Sequence, residues 1–143
     1  MTLGPDYCDE ALRELLAAGV TAAVRVDSRT DLPSRQVAHA LGVAIRSFAR
    51  DEVVVVCGDA SADRGSGSVP AFLADELDAA QALGLLQLTT SDGDPATMSA
   101  LRRLDGGRRE RLAVPAPAVV SVEGAAGELR RASLAATLAA RDV

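Results

Sequence analysis

The run Val53-Val54-Val55-Val56-Cys57, and the glycine that stops it, constrain this chain more than any other stretch. A short β-branched run bounded by glycine is the pattern of a strand buried on both faces in a parallel sheet covered by helices. Val53 to Cys57 is therefore expected as the central strand. Gly58-Asp59-Ala60-Ser61-Ala62-Asp63-Arg64-Gly65-Ser66-Gly67-Ser68 follows, and a helix-forming segment begins at Val69. Glycine lets the backbone turn tightly, and the first N–H groups of the helix have no partners of their own and face the loop. Strand, small-residue loop and helix N-terminus together make a ready anion site, with Ser66 and Ser68 as added donors to a phosphate or nucleotide. A plainer reading stands beside it: an ordinary connection at the carboxyl end of a strand. Gly65-Ser66-Gly67 matches neither the full dinucleotide fingerprint nor the lysine-bearing phosphate loop.

The rest of the chain repeats strand and helix. Met1-Thr2-Leu3 reads as the end of a strand, and Asp6 as the cap of a helix from Tyr7 to about Ala18, with Gly19 just beyond it. A strand is expected at Ala22 to Val26, and a helix from Ser34 whose apolar stripe is Val37, Leu41, Ala44, Ile45 and Phe48. After the helix from Val69 to about Leu77 come a strand at Ala82 to Thr89 and a loop at Ser91 to Pro95. A hairpin is then expected, with arms Met98 to Leu104 and Arg108 to Val114 around Asp105-Gly106-Gly107. Ala118 to Val122 reads as a buried strand, Glu123 to Gly127 as a small-residue loop, and Leu134 to Arg141 as a short helix capped by Ser133. Parallel strands need helical crossovers, and ligands gather beyond the carboxyl ends of such strands. The predicted fold class is α/β: a mostly parallel Rossmann-like sheet with flanking helices plus a β-hairpin, in one domain over residues 1–143.

Composition removes several function classes. The chain of 143 residues carries a net charge of -5 and no lysine among its 15 basic residues. That balance argues against binding a phosphate backbone, and Tyr7, Phe48 and Phe72 are too few aromatics to stack on bases, so nucleic acid is excluded as a partner. The same scarcity leaves few faces for a flavin ring. Cys8 and Cys57 are not spaced with His39 as a metal cluster and read as free thiols of a reducing compartment. No stretch approaches the roughly 20 apolar residues of a membrane span, and no secretory signal opens the chain, so the expectation is a cytoplasmic protein with no membrane insertion.

No acid–base or nucleophile constellation stands out, and the chain reads as non-catalytic. His39 falls inside an apolar helix pattern, as a packed or hydrogen-bonded side chain. Asp9, Glu10, Glu14, Asp75, Glu76 and Asp78 fit helix first turns and solvated faces. Asp63 lies in the glycine loop, where it either orients donors and receives a ribose hydroxyl or simply forms a turn. Arg102, Arg103, Arg108, Arg109 and Arg111 crowd the hairpin, as a solvated rim or as a docking surface for an acidic partner. Leu134 and Leu138 share one face of the last helix, as core or as anchors in a partner's groove.

The order of these parts resembles a known family. Gly58-x-x-Ser61-x-Asp63-x-x-Ser66-Gly67-x-Val69 is similar to the adenine-nucleotide loop of the electron transfer flavoprotein beta subunit family. Leu73-Ala74, Gln81, the Asp-Gly-Gly hairpin and Pro117-Ala118-Val119-Val120-Ser121-Val122 follow in that family's order. Glu128-Leu129-Arg130-Arg131-Ala132-Ser133-Leu134 resembles the segment by which its members touch partner dehydrogenases. Departures fall at Ala60, Gly65, Ser68, Pro70, Leu129, Arg131, Ala139 and Arg141, which replace residues usual in the family. By this resemblance the family's first strand-helix unit would lie before Met1, and an arm around the partner subunit after Val143.

The resemblance implies an electron-transfer component that forms a heterodimer with an alpha-like subunit and passes electrons from flavin dehydrogenases. It implies AMP at Ser61, Asp63, Arg64, Ser66, Gly67, Ser68 and Val69, held largely through backbone, and FAD only through the alpha subunit. It places partner docking at Leu134, with Leu138, Arg130 and Arg131 beside it. The alternatives are a stand-alone adenine-nucleotide-binding regulatory module and a degenerate interaction subunit without ligand.

Overall fold

The computed structural model describes residues 1–29, 31–48, 52–61, 65–91 and 94–141. The chain falls into two compact units, Ser34–Gly127 and a smaller one made of Met1–Pro33 with Glu128–Val143.

The smaller unit is built on a strand-helix-strand turn. β1 (Thr2–Gly4) pairs in parallel with β2 (Arg25–Asp27), and α1 (Cys8–Ala17) makes the crossover that parallel pairing requires. Arg25 holds the turn together, giving hydrogen bonds to Asp9 at 2.6 Å, Asp27 at 2.6 Å and the Gly4 carbonyl at 3.2 Å. Asp6 does not cap α1 with its side chain; Tyr7 occupies the cap position, and it is the Asp6 carbonyl that receives the Asp9 N–H, at 2.9 Å. α4 (Leu134–Ala140) packs on α1, and its cap is as expected, with the Ser133 hydroxyl accepting the Ala136 N–H.

In the larger unit the strands β3 (Val54–Gly58), β4 (Ala80–Ser91), β5 (Asp94–Arg103), β6 (Arg109–Pro115) and β7 (Ala118–Val122) form one sheet in the order β3-β7-β4-β5-β6. β7 pairs in parallel with both β3 and β4, whereas β4-β5 and β5-β6 are antiparallel. Several expected strand ends shift, the strand expected at Ala22 to Val26 being Arg25–Asp27, and two expectations about the larger sheet change. β3 is an edge strand of this sheet and is not buried on both faces, since Val56 is 56% exposed. The strand closed in on both sides is β7, whose Ala118 to Ser121 are almost wholly buried. Strand propensity reports a pleated, packed residue and not how many neighbours the strand has, so two similar valine runs could not be ranked from sequence. Asp94 belongs to β5, not to the loop expected at Ser91 to Pro95, while residues 92–93 lie outside the described residues.

α2 (Ser34–Phe48) and α3 (Ser68–Leu77) cover one face of this sheet. Ala38, Leu73, Ala74 and Val119 form the core there, joined by Leu41, Ile45 and Val55. Burying a side chain such as Leu73, 1% exposed, contributes on the order of 2 kcal/mol by transfer from water. A second core is made of strand residues, among them Leu85, Met98, Ala100, Val114, Ala118 and Val120. Because successive strand residues point to opposite faces, Val119 joins the helices while Ala118 and Val120 join the strand core. β7 is thus the wall between two apolar layers.

Candidate functional site

Three parallel segments end together: β3 at Gly58, β7 at Val122, and the first leg of β4 just before Gly84. The Ser121 hydroxyl, 1% exposed, joins them. It accepts the Gly84 N–H at 2.9 Å and donates to Asp59 Oδ1 at 3.2 Å, and the Asp59 N–H is bound by the Val122 carbonyl at 3.1 Å. Gly84 sits at φ +67°, a conformation that favours glycine, where β4 shifts register and passes from β7 toward β5. The Asp59 side chain is therefore a fixed part of the strand ends.

The loop beyond Asp59 is closed partly on itself. Gly65 N–H donates to the Ser61 carbonyl at 2.9 Å, and Ser61 N–H points to the Ser66 carbonyl at 3.4 Å. Gly67 passes so near the Asp59 carbonyl oxygen that a Cβ there would lie 2.6 Å from it. α3 begins at the next residue, where Gly67 as N-cap offers no side chain and the Ser68 N–H donates instead to Ser66 Oγ at 3.4 Å. Pro70 carries no N–H, which suits a first turn where that group would lack a partner anyway.

Three hydroxyls line this start of α3. Ser34 Oγ lies 3.4 Å from Ser66 Oγ, and Ser66 Oγ lies 2.7 Å from Ser68 Oγ. Ser34 opens α2 and Ser68 opens α3, so two helix N-termini meet at one row of donors at the carboxyl end of β3. Such termini carry partial positive charge and free N–H groups. The arrangement is chemically fit for a small oxyanion such as a phosphate. Ser34 was missed in the sequence, because it is 32 residues from Ser66 and only the packing of α2 on α3 brings it near. Ser61 and Gly67 are exposed at the loop surface, and Val69 lies in the first turn of α3. Asp63 and Arg64 lie outside the described residues.

The helices that frame the loop are tied by Glu76. Its carboxylate meets His39 Nδ1 at 3.2 Å and Arg46 Nη2 at 3.1 Å, and Arg46 also donates to the Glu76 carbonyl. The hydrogen bond from His39, then that from Arg46, hold the Glu76 carboxyl below the usual carboxylate range. His39 is thus a hydrogen-bonded surface residue, its side chain 66% exposed, and not a buried one. Burial pushes the Cys57 thiol up from its ordinary value. Among the described residues no His, Cys, Asp and Glu cluster could hold a metal ion, and no helix is long and apolar enough to cross a membrane.

The expected docking residues belong to the smaller unit. Leu134 and Leu138 project from α4 at 77% and 51% exposure, and Arg130 and Arg131 precede it, both exposed. A cavity of about 440 Å³ lies beside them, lined by Ala11, Leu15 and Ala18 of the α1 side and by Leu129, Arg130 and Thr137. The leucine pair is therefore surface, not core.

A family model described as the electron transfer flavoprotein domain matches residues 1–143. The electron transfer flavoprotein subunit beta of Methylophilus methylotrophus is 31% identical over 136 residues, covering 94% of this chain and 50% of that protein. The chain spans about half the length of the curated relative it matches.

Proposed function

The chain belongs to the electron transfer flavoprotein domain family, and from that membership we propose that it acts as a beta-subunit-like, non-catalytic component of a redox heterodimer. Its partner in this reading is an alpha-like subunit that carries the FAD, and the pair passes electrons from a flavin dehydrogenase. The observation that carries the proposal is the match of the family model along residues 1–143. With three aromatics in all, this chain offers a flavin ring little to stack on, which supports a division of labour in which the other subunit grips it.

AMP in this reading is structural and supplies only charge and shape. Its phosphate would be held by the Ser66 and Ser68 hydroxyls, with Ser34 behind them and the first turn of α3 beneath. Ser61, Gly67 and Val69 would contribute backbone contacts, and Asp63 and Arg64 complete the set named by the resemblance. Docking to the dehydrogenase would use Leu134 and Leu138, with Arg130 and Arg131 at the rim, because exposed apolar side chains of this size mark interaction surfaces.

Co-expression with an alpha-like subunit tests this directly. We expect a single complex with a flavin absorption band, and AMP released from the complex on denaturation. The double variant Ser66→Ala/Ser68→Ala should lower AMP affinity about tenfold or more, since hydrogen bonds to a charged group are worth about 1.5–3 kcal/mol each. A colourless chain that forms no complex and releases no nucleotide would overturn the proposal.

A further inference from the structure

The β5–β6 hairpin carries a surface that neither the loop nor α4 uses. Its cross-strand pairs alternate between two faces. Met98/Val114, Ala100/Leu112 and Arg102/Glu110 share the face that joins the strand core, the last pair closed by an ion pair of 2.6 Å. The opposite face carries Ser99/Ala113, Leu101/Arg111 and Arg103/Arg109. There one arginine stands directly across from another, which weakens an antiparallel ladder. Glu123 reaches Arg103 at 3.4 Å but leaves that side chain 64% exposed. Arg109 and Arg111 are both exposed and have no acidic partner among the described residues. Arg108 follows at the turn, where its Nε donates to the Asp105 carbonyl at 3.3 Å.

The local charge runs against the rest of the chain. The stretch from Arg102 to Arg111 holds five arginines against Asp105 and Glu110, a local net of +3 in a chain whose total is -5, with Glu123 beside Arg103 from outside the stretch. A positive face on an otherwise acidic protein directs a field toward acidic partners.

We propose that the face bearing Arg103, Arg109 and Arg111 is a docking surface for an acidic patch on a partner protein. Guanidinium groups pair with carboxylates in a two-pronged geometry that fixes orientation as well as attraction. The chemistry of the face selects the class of partner. None of Tyr7, Phe48 and Phe72 lies in the hairpin, so there is no platform for bases, and a few arginines on an acidic chain do not follow a phosphate backbone. No large apolar side chain of β5 or β6 is exposed among the described residues, so nothing is offered to a bilayer. The proposal stands whether or not the loop binds a nucleotide.

A fluorescent glutamate oligomer serves as the probe, titrated against the full chain at low salt, with duplex DNA and phosphatidylserine vesicles as comparison probes. The glutamate oligomer should bind, weaken as salt rises, and bind the double variant Arg109→Glu/Arg111→Glu about tenfold or more weakly. That variant sets an opposite charge across from Arg103, so its thermal midpoint should hold or rise. The second variant Arg109→Gln/Arg111→Gln should also lose binding without losing stability. Absence of binding by the parent chain, equal binding by the variants, tighter binding of DNA or vesicles, or a lower midpoint in both variants would each overturn the proposal.

Discussion

Gly67 has no room for a side chain. Its backbone angles are open to other residues, at φ -86° and ψ 14°, so the objection to a side chain there is purely steric. A Cβ would meet the Asp59 carbonyl oxygen at 2.6 Å, and backbone cannot swing aside as a side-chain tip can. Gly67→Ala should therefore destabilise the chain by about 1–3 kcal/mol, measured by denaturant unfolding, as overpacked sites generally do. A variant as stable as its parent would mean that the loop rests elsewhere. Ser66 and Ser68 could be read as donors from the sequence because they sit in the glycine loop itself. Ser121 and Gly84 could not, since the bond between them spans 37 residues and exists only once β4 lies beside β7. Gly84 did leave a trace, as a lone glycine within an apolar strand, the usual mark of a bulge.

Among the elements, α2 and α3 depend on a surface carboxylate for part of their contact. Glu76 is held ionised below the usual carboxylate range by His39 and Arg46. A depressed folded-state value adds stability that is present at neutral pH and lost as pH falls through that value. Glu76→Gln should be less stable than the parent at neutral pH, with the gap closing in acid below the carboxylate range. Denaturant midpoints across pH would check this, and a constant gap would show that packing, not charge, is lost. Helices and hairpin were legible because they are coded locally: Ser133 caps α4 as its type suggests, and Asp105-Gly106-Gly107 forms the turn between β5 and β6. The rank of the strands was not, because the Val53 to Cys57 and Ala118 to Val122 runs are both short and valine-rich while their neighbours are set by distant pairing.

At the scale of the molecule, the two edges of the five-stranded sheet are dressed differently. β6 carries Arg109 and Arg111, and charge on an edge discourages unplanned pairing. β3 carries valines, with Val56 56% exposed and β7 as its one hydrogen-bonded neighbour among the described residues. An apolar end strand is a template for another strand. Val56→Lys should reduce concentration-dependent association, followed by light scattering, while changing unfolding free energy by less than about 0.5 kcal/mol, as solvent-facing substitutions do. Unchanged association would place the sticky surface elsewhere, with the leucines of α4 the next to test.

The position of β7 also has a consequence in time. It is the last strand of the sheet to leave a ribosome, yet both parallel pairings need it. Until Ala118 to Val122 is synthesised, β3 has no ladder to join, and Asp59 waits for the hydroxyl of Ser121. The earliest half of the loop is thus finished by almost the latest part of the sheet.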